Sequence, residues 1–137
     1  MVTCFLVRRT AAGDEVLLLR RSQQVGTYRG RWAGVSGYVE EADPLTQAYR
    51  EVEEEVGLTR EEVSLVGAGE PLEVVDAEAE RRWIVHPFLF EVGTDTQVRV
   101  DWEHTEARWV RPDDVFAFET VPQLAEALMC VYPLRHP

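Results

Sequence analysis

The chain has 137 residues, 45% of them hydrophobic, and carries 25 acidic against 14 basic side chains for a net charge of −11. That length and apolar content fit one globular domain over residues 1–137 with an ordinary core, and exclude a disordered chain. So strong an acidic excess repels a nucleic acid backbone unless bases gather on one face, and no nucleic acid partner is expected.

In chain order, TCFLVRR reads as a strand, Ala12-Gly13-Asp14 as a turn and EVLLLRR as the returning strand of an antiparallel hairpin. A polar loop, SQQVGTYRGR, leads into a short hydrophobic passage, WAGVSGYVE. At Asp43 the period becomes helical. Asp43 suits the N-cap, Pro44 the first helical position and Gly57 a left-handed terminator, while Leu45, Ala48, Tyr49, Val52 and Val56 recur on one face. VSLVGAG, RRWIVHPFLFEV, TQVRVDW and ARWVRP read as strands, with an acidic tip, VDAEAE, between two of them. A Pro-started turn, PDDVFAF, and a final helix, PQLAEALMCVY, follow. Strands and helices mix without regular βαβ alternation, which predicts an α+β fold with a mixed β-sheet flanked by helices.

Apolar runs such as VLLL at 16–19 are far too short to cross a bilayer, so no membrane association is expected. The start, MVTCFLVRR, lacks a basic stretch followed by a long apolar one and points to a cytoplasmic location. Cys4 and Cys130 are too few for a disulfide framework or a zinc site and read as small buried hydrophobes.

The most unusual stretch is REVEEEVGL at 50–58, with four glutamates in the five positions 51–55. At about 100° per residue, Glu51, Glu54 and Glu55 share one arc beside the apolar stripe, and Glu53 lies on the other flank. A helix needing only solubility would set charges opposite its buried face and alternate their sign. Three converging carboxylates are hard oxygen ligands suited to Mg²⁺ or Mn²⁺, which would relieve the built-in repulsion. Charge pattern alone leaves two readings open, a solvated face and a cation site.

The spacing supplies more. Residues 50–58 match the second half of the Nudix box position by position: arginine, glutamate, apolar, any, glutamate, glutamate, any, glycine, apolar. The upstream half is looser. Gly37, five residues and Asp43 follow the family pattern with aspartate for glutamate, but only six residues rather than seven precede Arg50. The lead-in loop is thus one residue short, and Glu41 or Asp43 must serve as the acid that holds Arg50. LLLRRS, GRWAGVSGY, HPFLFEV and DWEHTEARWV also resemble the strands and loop around a Nudix site. The whole is similar to a Nudix domain that some archaeal proteins join to a segment related to ribose-1,5-bisphosphate isomerase.

The resemblance implies the Nudix fold, a mixed β-sheet sandwiched between α-helices. It also implies hydrolysis of the pyrophosphate bond of a nucleoside diphosphate linked to another group, with Mg²⁺ or Mn²⁺ as cofactor. The substrate expected is a small molecule: a nucleotide sugar, an ADP-ribose-like compound or a nucleoside triphosphate. By the same match, Glu51, Glu54 and Glu55 are metal ligands, the Ser36 carbonyl completes the shell and Arg50 orients the carboxylates. Glu103, six residues before Trp109, is the expected general base or further ligand, with Glu106 as competitor. Arg20 and Arg21 end a strand near the site, and alternation lets only one of them, taken as Arg21, meet a phosphate. Tyr28 and Trp32 flank a glycine-containing loop where an aromatic ring stacks on a base, although Trp32 also suits a core. A homodimer is compatible with all of this.

Two rival readings remain. A non-catalytic Nudix-fold regulator would bind a nucleotide uncleaved, but such proteins typically lose box glutamates, and all three are kept here. Isopentenyl-diphosphate isomerase shares a modified box, yet its nucleophilic cysteine belongs in the loop that here reads GVSGY.

Overall fold

A computed structural model describes residues 1–40, 43–77 and 80–134. Among these residues the chain forms eight strands and two α-helices: β1 Val2–Thr10, β2 Gly13–Arg21, β3 Trp32–Ala33, β4 Val35–Gly37, α1 Pro44–Val56, β5 Ser64–Ala68, β6 Leu72–Asp76, β7 Arg81–Val92, β8 His104–Val110 and α2 Leu124–Met129. Strands β3-β2-β1-β7-β5 run side by side, with β4 also on β1, β6 on β7 and β8 on β2. β1 and β7 are parallel and the other pairings antiparallel, so the sheet is mixed as expected.

Period-2 alternation divides the core into two layers. Cys4, Leu6, Leu17, Leu19, Phe88 and Phe90 face α1, where they meet Ala48, Val52 and Val56. Phe5, Val7, Val16, Leu18 and Leu89 face the other way, against Val115 of a 3-10 helix at Pro112–Ala117 and against Leu124 and Leu128 of α2. The sheet is therefore sandwiched between helical layers.

α1 begins and ends where its sequence signals. The Asp43 side chain accepts from the Thr46 N–H at 2.8 Å, Pro44 opens the helix, and Gly57 closes it at φ 74°. That left-handed conformation favours glycine, and a Cβ there would also collide with the Arg99 guanidinium.

Four expectations are corrected. TQVRVDW is not a strand. Its backbone caps α1 instead, the Arg99 N–H donating to the Val56 carbonyl at 3.0 Å, while Val98 packs on the α1 side of the core and Val100 is exposed. The reading also passed over β6, because the acid-rich stretch taken as a tip supplies Val75 and Asp76 to that strand. The final helix is shorter than read, since Gln123 adopts a left-handed backbone at φ 61°. Its side chain bonds the edge of β6, accepting from the Val75 N–H and donating to the Glu73 carbonyl as a neighbouring strand would. Cys4 is buried, but Cys130 is exposed.

Candidate active site

α1 lies against β4, which puts its glutamates beside residues 36–37 at one end of the sheet. A cavity of about 530 Å³ opens there, lined among others by Arg21, Ser36, Glu51, Glu54 and Glu103. Glu54 is exposed and Glu51 half-buried, whereas Glu55 turns inward and keeps only 3% of its surface, behind the cavity wall. Glu53 is exposed. Gln47, one turn earlier, fixes Glu51 by donating from Nε2 to Oε2 at 2.6 Å.

Gly37 of β4 is required by this packing. A Cβ at that position would overlap the Glu51 carboxyl group. Gly37→Ala is expected to displace that carboxyl and lower turnover by about tenfold or more, the scale for disturbing a ligand's support. Its melting temperature should stay near that of the wild type. Steady-state rates beside a thermal melt check this, and an unchanged rate would remove Glu51 from the site.

The electrostatics of the cluster are those of a site short of positive charge. Burial first, then the charges of Glu103, Glu51 and Asp101, push the Glu55 carboxyl up to about 10. Burial likewise raises Glu51, with Glu54 and Glu40 adding to it and the Gln47 bond opposing it. Glu103 is raised by burial and by Asp101, against a lowering from Arg21. Glu55 Oε2 is buried without a hydrogen-bond partner.

Among the described residues no three His, Cys, Asp or Glu side chains already stand at metal-binding distances from one another. What fits a divalent ion is the chemistry of the donors: a buried carboxyl oxygen with no partner, next to carboxylates that raise one another's proton affinity.

The turn before β8 carries the second acidic locus. Asp101 Oδ1 accepts from the Glu103 N–H at 3.1 Å, and the Glu103 carbonyl accepts from the Ser22 N–H at 2.7 Å, which fixes the turn to the end of β2. β2 and β8 pair Arg21 with His104, so Arg21 and Glu103 meet at the cavity. Glu106 is bonded instead to Arg108 at 2.9 Å and is not part of the cavity lining.

The remaining expectations divide. Arg21 lines the cavity and donates from Nε to the Thr27 carbonyl at 3.0 Å, and Tyr28 stands on its rim with its hydroxyl on Asp76. Trp32 is corrected. It is 8% exposed and lies in the core edge-to-face with Phe118 at 5.4 Å, because β3 pairs with β2 and alternation turns its ring into the α2 layer. Arg50 is half-buried on α1 and does not line the cavity. Of its two expected partners, Glu41 lies outside the described residues and Asp43 serves as the helix cap.

Sequence reasoning missed four residues. His104, to which the sequence assigned no role, is buried, with Nδ1 3.2 Å from Asp101 and Nε2 3.8 Å from Glu55. Burial lowers its pKa despite Asp101, and its ring backs the Glu55 carboxyl. The spacing Asp101-x-Glu103-His104 is the one local signal that could have found it. Tyr38, Trp83 and Trp102 also line the cavity, the first two with ring centroids 5.1 Å apart and Trp102 64% exposed. They come from three separate segments, and no local pattern joins them.

A family model for the NUDIX domain matches residues 1–129. The chain belongs to the Nudix family. Its fold is similar to that of an Ap4A hydrolase from C. elegans, with TM-score 0.78, 22% identity, and 93% of this chain and 90% of that one covered. RenU, a Nudix hydrolase from M. smegmatis, gives 0.77 at 22% identity, covering 90% and 77%. A bifunctional NMN adenylyltransferase/ADP ribose pyrophosphatase from Francisella tularensis, complexed with AMP and a Mn ion, gives 0.73 at 17% identity, covering 93% and 39%. No curated protein matches the chain. As a Nudix hydrolase it is a pyrophosphohydrolase, acting on phosphorus-containing anhydrides. No helix among the described residues is long and apolar enough to cross a membrane.

Proposed function

We propose that this Nudix hydrolase cleaves, with Mg²⁺ or Mn²⁺, the pyrophosphate bond of a nucleoside diphosphate linked to a further group, such as a nucleotide sugar or an ADP-ribose-like compound. One observation carries the reading. The same cavity is lined by Glu51, Glu54, Glu103 and Arg21, and by the rings of Tyr38, Trp83 and Trp102. Such a cavity offers carboxylates for a cation, a guanidinium for a phosphate and ring faces for a base. The AMP and Mn ion bound to the Francisella relative suit the same chemistry.

In this account Glu51, Glu54 and Glu55, with the Ser36 carbonyl, would hold the divalent ion, which when bound would supply positive charge against the pyrophosphate and a lowered pKa for a water. Glu103 takes the proton of the attacking water, held in place by the Asp101 turn. Arg21 meets a phosphate oxygen from the end of β2, Arg50 orients box carboxylates, and Tyr28 with the three other aromatic residues receives the nucleoside.

Product analysis tests this. Incubation with Mg²⁺ and a panel of dinucleoside and sugar diphosphates in ¹⁸O-labelled water should give a nucleoside monophosphate and a second phosphate ester, with label in one of them. Binding without products would indicate a regulator. Double-bond migration in a prenyl diphosphate would indicate an isomerase.

A further inference from the structure

Residues 20–31 hold four of the chain's 14 basic side chains, Arg20, Arg21, Arg29 and Arg31, and no acid, in a protein of net charge −11. Arg21 belongs to the cavity already described. The other three line an adjoining cavity of about 870 Å³. The two cavities share Gly26, Thr27, Tyr28 and Pro122, so the second continues from the rim of the first.

The segment is built to hold its arginines in place. Buried Val25 anchors it, and two positive φ angles, 48° at Tyr28 and 76° at Gly30, turn the backbone back toward β3. Arg20 donates from Nε to the Gly30 carbonyl at 3.1 Å, and Arg29 from Nε to the Val25 carbonyl at 2.8 Å. A guanidinium tied at Nε still has its two terminal nitrogens, the fork that grips a phosphate at two points. Four arginines elsewhere are matched by acids, Arg8 by Glu15, Arg9 by Asp14, Arg82 by Glu73 and Arg108 by Glu106. Among the described residues Arg20 and Arg29 have no carboxylate partner, and Arg31 reaches Glu119 only at 3.9 Å. Gathered like charges without counter-ions repel one another, and an anion between them removes that cost.

We propose that this arginine-lined cavity is a subsite for a phosphate group remote from the scissile anhydride, so that substrates carrying such a group are preferred. Its place in catalysis rests on the hydrolase reading, whereas its anion binding does not. Binding is therefore measured first on protein stripped with EDTA, where the acidic cavity repels anions and the arginines alone attract them. Inorganic pyrophosphate, titrated by calorimetry at low salt, should bind one site. Arg29→Ala and Arg20→Gln should each weaken it about tenfold, and Arg111→Gln, an exposed arginine lining neither cavity, should leave it unchanged. Thermal melts verify that the variants fold.

The second measurement compares kcat/KM for coenzyme A and dephospho-coenzyme A, which differ only in one phosphate monoester. The arginine variants should lower the first value about tenfold and spare the second. No pyrophosphate binding, binding indifferent to the arginine changes, or equal losses on both substrates would overturn the proposal. Pyrophosphate binding that depends on the arginines, without turnover of any diphosphate, would uphold the subsite and reject the hydrolase reading.

Discussion

Glu54→Gln and Glu55→Gln are each expected to lower turnover by about two to four orders of magnitude while the protein stays folded. Loss of a ligand's supporting partner alone costs about 10–100-fold, and loss of the ligand costs more. Glu55 carries the sharper form of the test. Its carboxyl is 3% exposed, has an oxygen without a partner and is crowded by Glu51, Glu103 and Asp101. At neutral pH that carboxyl, pushed up to about 10, must take up a proton on folding, and a glutamine of the same shape needs none, so Glu55→Gln should raise the metal-free melting temperature by a few degrees. Added Mg²⁺ should then stabilise the wild type by mass action and the variant much less. Glu53→Gln is the control, because that side chain is exposed on the far flank of α1. Wild-type turnover in both the Glu54 and the Glu55 variants would refute the ligand assignment.

Glu103→Gln is expected to cost about 10²–10⁴ in kcat, the usual contribution of a positioned base, with substrate affinity nearly intact because the loss falls in the transition state. Glu106→Gln should change little, since that carboxylate is engaged with Arg108 on β8 and does not line the cavity. Assayed side by side at low and high Mn²⁺, the two variants separate three roles. A Glu103 defect independent of Mn²⁺ marks a base, and one that shrinks as Mn²⁺ rises marks a ligand. A deep defect at Glu106 with a mild one at Glu103 would move the role to Glu106.

Short-range signals were the legible ones. α1 was readable to the residue, because its cap, its opening proline, its apolar face and its terminator all lie within the helix or next to it. That Glu51 and Glu54 lie on one side of α1 was readable for the same reason, as was the position of Glu103 before β8, at an offset from Trp109 that lies within one turn and strand. Reading failed where tertiary partners decide. Trp32 and Tyr28 flank the same loop, and only the pairing of β3 with β2 sends the tryptophan into the core. TQVRVDW has a strand's composition, but its backbone caps α1. The Tyr38, Trp83 and Trp102 wall and the buried His104 behind Glu55 depend on segments far apart in sequence, and the arginines of residues 20–31 gain meaning only once a cavity gathers them.

The central claim is that the carboxylates of α1 work through a divalent ion. It is tested most directly by the rate of diphosphate hydrolysis on protein stripped with EDTA and then titrated with Mg²⁺. The account predicts no turnover above background in EDTA and a saturable recovery as Mg²⁺ is returned. An undiminished rate in excess EDTA would contradict it.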